Sequence, residues 1–254
     1  MLIERGRVLF AMILREMNSR YGRSVGGYLW AVVEPISFIL LFSIVFSVIT
    51  RDPALGRSFP LFFATGVITF MMYRDIGGLV GGSFLRNKPL FTYPKITLLD
   101  AVLAGFLLQA LTFIAVATMV FIGIYAIEDI RPHINPAPVL AAVSIAALIG
   151  LGVGMINCVL FPMFPTWQRI FEVISRPLFL ISGVFYTPEM IPPDVRDVLL
   201  FNPLVHVIGL MRTGFYPTYH ADYISFPYLI GAPLLLITVG ILLLRRYQGY
   251  LLEQ

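Results

Sequence analysis

AVLAGFLLQALTFIAVATMVFIGIYAI, residues 101–127, contains no Asp, Glu, Lys or Arg, and neither does PHINPAPVLAAVSIAALIGLGVGMINCVLFPMFPTWQ, residues 132–168. A helix crossing a hydrocarbon core of about 30 Å needs about 20 mainly apolar residues, so each stretch is long enough to span a bilayer. The rest of the chain agrees with that reading. Of its 254 residues, 58% are apolar and 13% charged, against about 45–50% and about 25% in a soluble domain. A water-soluble globule is excluded. One polytopic helical domain covering residues 1–254 is expected, with six spans at about 28–49, 60–82, 98–127, 139–161, 170–186 and 223–244.

Residues 2–20 read as an amphipathic interface helix. At 100° per residue Leu2, Ile3, Leu9, Phe10, Ile13, Leu14 and Met17 share one arc, with Glu4, Arg15 and Asn18 opposite. Such a helix lies in the plane of a membrane surface or packs on a partner protein. The apolar run Val8 to Leu14 is too short for a secretory leader and has no small-residue cleavage site, so the first residues are expected to stay in the mature protein. Residues 187–216 are too short and too broken at Asn202-Pro203 to cross alone. They read as short re-entrant helices before the last span that line or lid a cavity, or as an ordinary surface loop.

Charge sets the orientation. With the N-terminus inside, eleven Lys and Arg fall on the cytoplasmic side (Arg5, Arg7, Arg15, Arg20, Arg23, Arg86, Lys88, Lys95, Arg169, Arg245, Arg246) and five opposite (Arg51, Arg57, Arg131, Arg196, Arg212). That bias places both termini in the cytoplasm. The net charge of +4 is explained by this distribution, and nucleic acid is not expected as a partner.

The chemistry-bearing residues exclude more than they assign. No G-x-x-x-x-G-K-[ST] loop exists, since Lys88 precedes Pro89 and Lys95 precedes Ile96, so any ATP must be bound by another subunit. His133, His206, His220 and the lone Cys158 have no metal-ligand spacing, and a packing role suits His206 and Cys158 best. Ionisable groups at membrane depth normally face a partner or a wet cavity, because an unpaired charge there costs at least about 2.5–3.5 kcal/mol. Glu34, Arg74, Asp75, Glu172 and Arg176 qualify. Glu172 and Arg176 have the spacing of an ion pair on one helix face. Arg74 and Asp75 are adjacent, point about 100° apart, and are not expected simply to neutralise one another. The pairs Gly77/Gly81, Gly78/Gly82 and Gly150/Gly154 allow close helix approach, within the chain or between subunits. Three functional classes remain: a subunit of an ATP-driven exporter, an ion-coupled secondary transporter using Glu34 or Asp75, and an intramembrane glycosyl- or phospho-transferase.

Several stretches then carry a family resemblance: Arg15-Glu16, Arg20-Tyr21-Gly22, Gly27-Tyr28-Leu29-Trp30-Ala31 and Glu34-Pro35; Phe59-Pro60-Leu61-Phe62 with Thr65-Gly66; Asn87 to Pro94; and Phe201-Asn202-Pro203-Leu204-Val205-His206. In order and content the chain resembles ABC-type polysaccharide-export permeases of the KpsM capsule-exporter type. The resemblance implies a multi-pass protein of the bacterial inner membrane that pairs with a second copy of itself around a conduit. It implies two separate ATPase subunits that hold ATP and Mg, a periplasmic adaptor and an outer-membrane exporter, with lipid-linked polysaccharide, acidic by expectation, as cargo and no cofactor on this chain. Mapped onto this sequence, the ATPase-coupling residues are Arg5, Arg15, Arg86, Asn87, Lys88, Pro89, Tyr93 and Lys95. The periplasmic gate maps to Phe185, Tyr186, Asn202, Pro203, His206 and Arg212. For the conduit, charge cost and aromatic content nominate Arg20, Arg23, Tyr28, Trp30, Phe38, Phe42, Phe70, Tyr73, Arg74 and Arg176.

Overall fold

The computed structural model describes residues 2–21, 26–93, 96–128 and 134–253, and among them every regular element is helical. Ten α-helices follow in order: α1 (Leu2–Tyr21), α2 (Gly27–Ile49), α3 (Phe59–Gly81), α4 (Ser83–Asn87), α5 (Leu98–Glu128), α6 (Pro136–Met163), α7 (Pro165–Ile181), α8 (Pro193–Leu199), α9 (Pro203–Phe215) and α10 (Phe226–Glu253). Four of them, α2, α5, α6 and α10, are long and apolar enough to cross a membrane, and the bent pair α8–α9, turning through 98°, makes a fifth if taken as one unit. Helix α3 has the length, but Tyr73, Arg74 and Asp75 dilute its apolar character.

The ends of these helices follow from local chemistry. Ser58 caps α3 by accepting from the Leu61 amide at 3.0 Å, Asn135 caps α6 through Ala137, and Asn202 caps α9 through Leu204. Pro60, Pro136, Pro165, Pro193 and Pro203 sit in first turns, where a missing N–H is harmless. Helix α7 therefore starts at Pro165, five residues before the apolar count put it. It ends ahead of Gly183, whose φ of 80° reverses the chain. Helix α10 runs on to Glu253, well past Leu244, because Arg, Tyr and Gln propagate a helix after apolar content stops.

Helix α3 forms the centre, buried along most of its length and flanked by α2, α5, α6 and α9. Small residues permit the α3–α6 approach: a Cβ on Gly150 would stand 2.8 Å from the Tyr73 carbonyl oxygen, and one on Gly154 2.6 Å from Val80 Cβ. Two of the glycine pairs thus serve packing inside the chain, Gly81 lying against Asn157 and Phe161. Gly78 differs, having open space where its Cβ would be. Cys158 is fully buried between these helices, as its packing role requires.

Helix α1 lies along α5, with Leu9 and Ile13 of its apolar arc partly buried against that helix. Met12 and Glu16 face inward, with Met12 against Ala101 and Ala104, while Phe10 and Leu14 stay exposed. Glu16 finds a cation inside the fold, Arg86, and the Phe10–Leu14 side is left uncovered.

Candidate functional site

Three helical faces converge on a cavity of about 920 Å³. Helix α2 contributes Glu34, Phe38 and Phe42, one residue per turn. Helix α3 contributes Val67, Phe70, Met71, Arg74, Asp75 and Gly78. Helix α7 contributes Gln168, Phe171, Glu172, Ser175, Arg176 and Phe179, again one face. The absent side chain at Gly78 is part of the space.

The wall is aromatic toward one end. Phe42 meets Phe185 edge-on at 4.7 Å, Phe179 meets Phe185 at 5.3 Å and Phe70 at 5.0 Å, and Phe46 meets Phe63 at 5.2 Å. The three edge-to-face pairs among them add about 0.5–1.5 kcal/mol each beyond burial. They give α2, α3 and α7 a common apolar seam that ends on the turn after α7.

Charge gathers at the other end. Arg74 donates from Nε to Asp75 Oδ1 at 2.7 Å and from Nη2 to Glu34 Oε1 at 2.9 Å. The expectation that neighbouring residues 74 and 75 do not neutralise one another is therefore wrong. Cβ directions diverge by about 100°, but the long Arg side chain folds back along the helix and bridges both acids. Glu172 and Arg176, by contrast, are exposed on α7 and make no ion pair with each other, although their spacing permits one.

Of the residues nominated for a conduit, the cavity brings together Phe38, Phe42, Phe70, Arg74 and Arg176. Trp30 lies outside it, on a smaller pocket of about 240 Å³ between α2, α3 and α5. Tyr73 faces the core, ring to ring with Phe70 at 5.8 Å. Arg23 and the side chains of Arg20 and Tyr28 fall outside the described residues. The sequence reading missed Phe171, Gln168 and Ser175, and the signal was present: 168, 171, 172, 175, 176 and 179 share one helical face.

At the end of α3 the chain turns through α4 and a 3-10 turn, Lys88–Thr92. Arg86 donates to Glu16 Oε1 at 2.7 Å and to the Leu79 carbonyl at 2.5 Å, so it ties α1 to the last turn of α3. Arg15 donates to Asn87 Oδ1 at 2.6 Å, and Asn87 donates onward to the Ser83 carbonyl. Lys88, Pro89 and Tyr93 project outward. Of the coupling set, Lys95 and the side chain of Arg5 lie outside the described residues.

At the opposite end Arg212 is only 1% exposed. It donates to the carbonyls of Tyr186 at 2.8 Å and Val184 at 2.9 Å, with its guanidinium 4.2 Å from the centre of the Phe62 ring. Gly66 lets the turn close on α3, since a Cβ there would stand 3.0 Å from Val184 Cα. Asn202, besides capping α9, donates to Ser182 Oγ at 3.0 Å, and Pro203 opens α9. His206 is buried, with Nε2 2.9 Å from the Leu200 carbonyl and its ring beside Tyr223 and Tyr228. These are packing contacts. Tyr219 donates to Glu189, and burial raises its phenol pKa, so it remains a protonated donor.

The arrangement is a cavity lined by α2, α3 and α7, with Arg86 tying α1 to α3 at one end and Arg212 holding the turn after α7 at the other. The family model described as ABC-2 type transporter matches residues 7–216. The chain belongs to the ABC-2 type transporter family. Among members of the family, the polysialic acid transport protein KpsM of Escherichia coli is 30% identical over 92% of this chain and 91% of its own length. The capsule polysaccharide export inner-membrane protein BexB of Haemophilus influenzae is 26% identical over 95% and 91%. CtrC of Neisseria meningitidis serogroup B, described in the same words, is 24% identical over 95% and 91%. The matched region takes in most of α1, the cavity helices and the Arg212 turn.

Proposed function

We propose that the chain is the transmembrane subunit of an ATP-driven exporter that moves lipid-linked, acidic capsular polysaccharide from cytoplasm to periplasm. The carrying observation is the alignment with the polysialic acid transport protein over nine-tenths of both chains. In this reading α2, α3, α5, α6, α7 and α10 are the six spans, α8 and α9 form the re-entrant outer gate, and both termini face the cytoplasm of a bacterial inner membrane. A second copy of the chain completes the conduit. Two ATPase subunits carry ATP and Mg, and a periplasmic adaptor and an outer-membrane exporter complete the route.

The work of ATP enters where Lys88, Pro89 and Tyr93 stand exposed. Because Arg86 links Glu16 to the last turn of α3, a push on that surface is shared by α1 and α3. Helix α3 lines the cavity, so the push reaches the passage. Aromatic faces offer flat, weakly adhesive surfaces over which sugar rings slide, and Arg groups suit carboxylates and phosphates. The ion-coupled alternative is not favoured by any contact here, since Glu34 and Asp75 both engage Arg74.

The test is co-purification from the native host. The proposal expects a nucleotide-binding subunit and a lipid-linked acidic glycan to accompany the chain. Recovery of the chain with neither, together with turnover of a lipid-linked sugar by the chain alone, contradicts it.

A further inference from the structure

We infer that Arg74 is an anion-exchange clasp: at rest it holds α2 to α3 through Glu34, and a phosphate or carboxylate on the exported molecule releases α2 by taking the guanidinium. The inference rests on the export reading and assigns it an anion site.

Helix α2 is packed by the aromatic seam from Phe38 onward, but its Glu34 end is lightly held: Leu29, Trp30 and Ile36 are exposed. The hydroxyls of Ser37, Ser43 and Ser47 donate to carbonyls of α2 itself. Glu34 ties this end by charge to Arg74 of α3, at 2.9 Å. The two acids hold Arg74 differently. Asp75 sits on the same helix and takes Nε, whereas Glu34 reaches from another helix to Nη2 with its side chain 48% exposed. An ion pair so exposed is weak. A phosphate offers the planar guanidinium a geometry at least as good and more charge. Arg74 lines the cavity, so an entering anion reaches it, and Arg176 on the facing helix adds a second cation that is in no ion pair among the described residues.

The bridge is also a partition. Glu34, Asp75 and Met71 line both the large cavity and the smaller pocket that opens beside Trp30, between α2 and α5. Loss of the Glu34 contact joins these spaces. The polar part of a lipid-linked molecule then lies in the cavity while its lipid leaves on the Trp30 side. Neutral groups make no such exchange, so the clasp selects for anionic cargo.

The experiment uses the full chain in phosphatidylcholine nanodiscs, in a Trp167→Phe background, with Trp30 emission as the readout. Dioleoyl phosphatidic acid, a soluble sialic acid trimer and a neutral glucose trimer are titrated separately. Glu34→Gln removes the competitor and is expected to tighten anion binding about fivefold. Arg74→Gln is expected to weaken it more than about tenfold, with Arg74→Lys between, since the charge survives without the planar fork. A response to phosphatidic acid alone assigns the site to a lipid phosphate, and one to the sialic acid trimer alone assigns it to sugar carboxylates. If Glu34→Gln and Arg74→Lys move binding in the same direction, or neither moves it, or the neutral trimer binds equally, the clasp is overturned. That outcome leaves ATP-driven export intact, whereas normal anion exchange in a chain that never exports with an ATPase removes the export reading instead.

Discussion

Replacing Arg212 tests how the turn after α7 is held. In Arg212→Met the apolar stem persists while two hydrogen bonds, to Val184 and Tyr186, disappear. Bonds from a charged donor are worth about 1.5–3 kcal/mol each, and stacking on a buried ring adds about 2 kcal/mol. Against this, removing a buried guanidinium recovers several kcal/mol of desolvation. The two carbonyls left behind decide the sign, because each buried and unpaired acceptor costs about 1–3 kcal/mol. A net loss of about 3 kcal/mol is expected. For a chain of this size that lowers the thermal midpoint by about 9 °C, at about 3 °C per kcal/mol. Unfolding of the purified chain in detergent measures the shift. Arg212→Lys, which keeps the charge but offers no fork, is expected to lose about half as much. A midpoint for Arg212→Met within 2 °C of the unsubstituted chain refutes the claim that Arg212 pins the turn.

Three further outcomes are expected. Glu16→Gln loosens the tie between α1 and α3 by about 1 kcal/mol, so ATP hydrolysis continues while polymer exported per ATP falls. An unchanged ratio counts against the shared lever, as does unaltered export and coupling after charge reversal of Arg86 and Lys88 together. Gly150→Val forces a Cβ to 2.8 Å from the Tyr73 carbonyl and is expected to cost about 1–3 kcal/mol, whereas Gly78→Ala meets nothing within 4 Å and folds normally; yields of monodisperse protein compare them. Cys158 is fully buried, so maleimide labelling is expected to be negligible in the folded chain and stoichiometric after unfolding, read by mass spectrometry.

Much of the architecture was legible from residues alone, because α5 and α6 are uninterrupted apolar runs and Pro–Asn chemistry marks the starts of α6 and α9. Where the reading missed, side-chain reach or tertiary pairing had taken over. Arg74 bridges Glu34 and Asp75 because a guanidinium on a long stem is not bound by the direction of its Cβ. Glu16 turns inward to meet Arg86, seventy residues away, a pairing that no periodicity reveals. The nominated aromatics divided in the same way. Phe38, Phe42 and Phe70 line the cavity while Tyr73, three residues beyond Phe70, turns to the core, since α3 is enclosed nearly all round and its period alone names no face. The α7 face was readable in principle. Its amphipathic period gathers Gln168, Phe171, Glu172, Ser175 and Arg176, and the apolar count simply began too late.

Export as proposed draws its energy from another subunit, and reconstitution tests that directly. Proteoliposomes carrying the chain and its nucleotide-binding partner are expected to translocate lipid-linked acidic glycan only when Mg-ATP is present on the partner's side, and vesicles carrying the chain alone are expected to move none under an imposed proton or sodium gradient. Uphill transport by the lone chain under such a gradient would contradict the account.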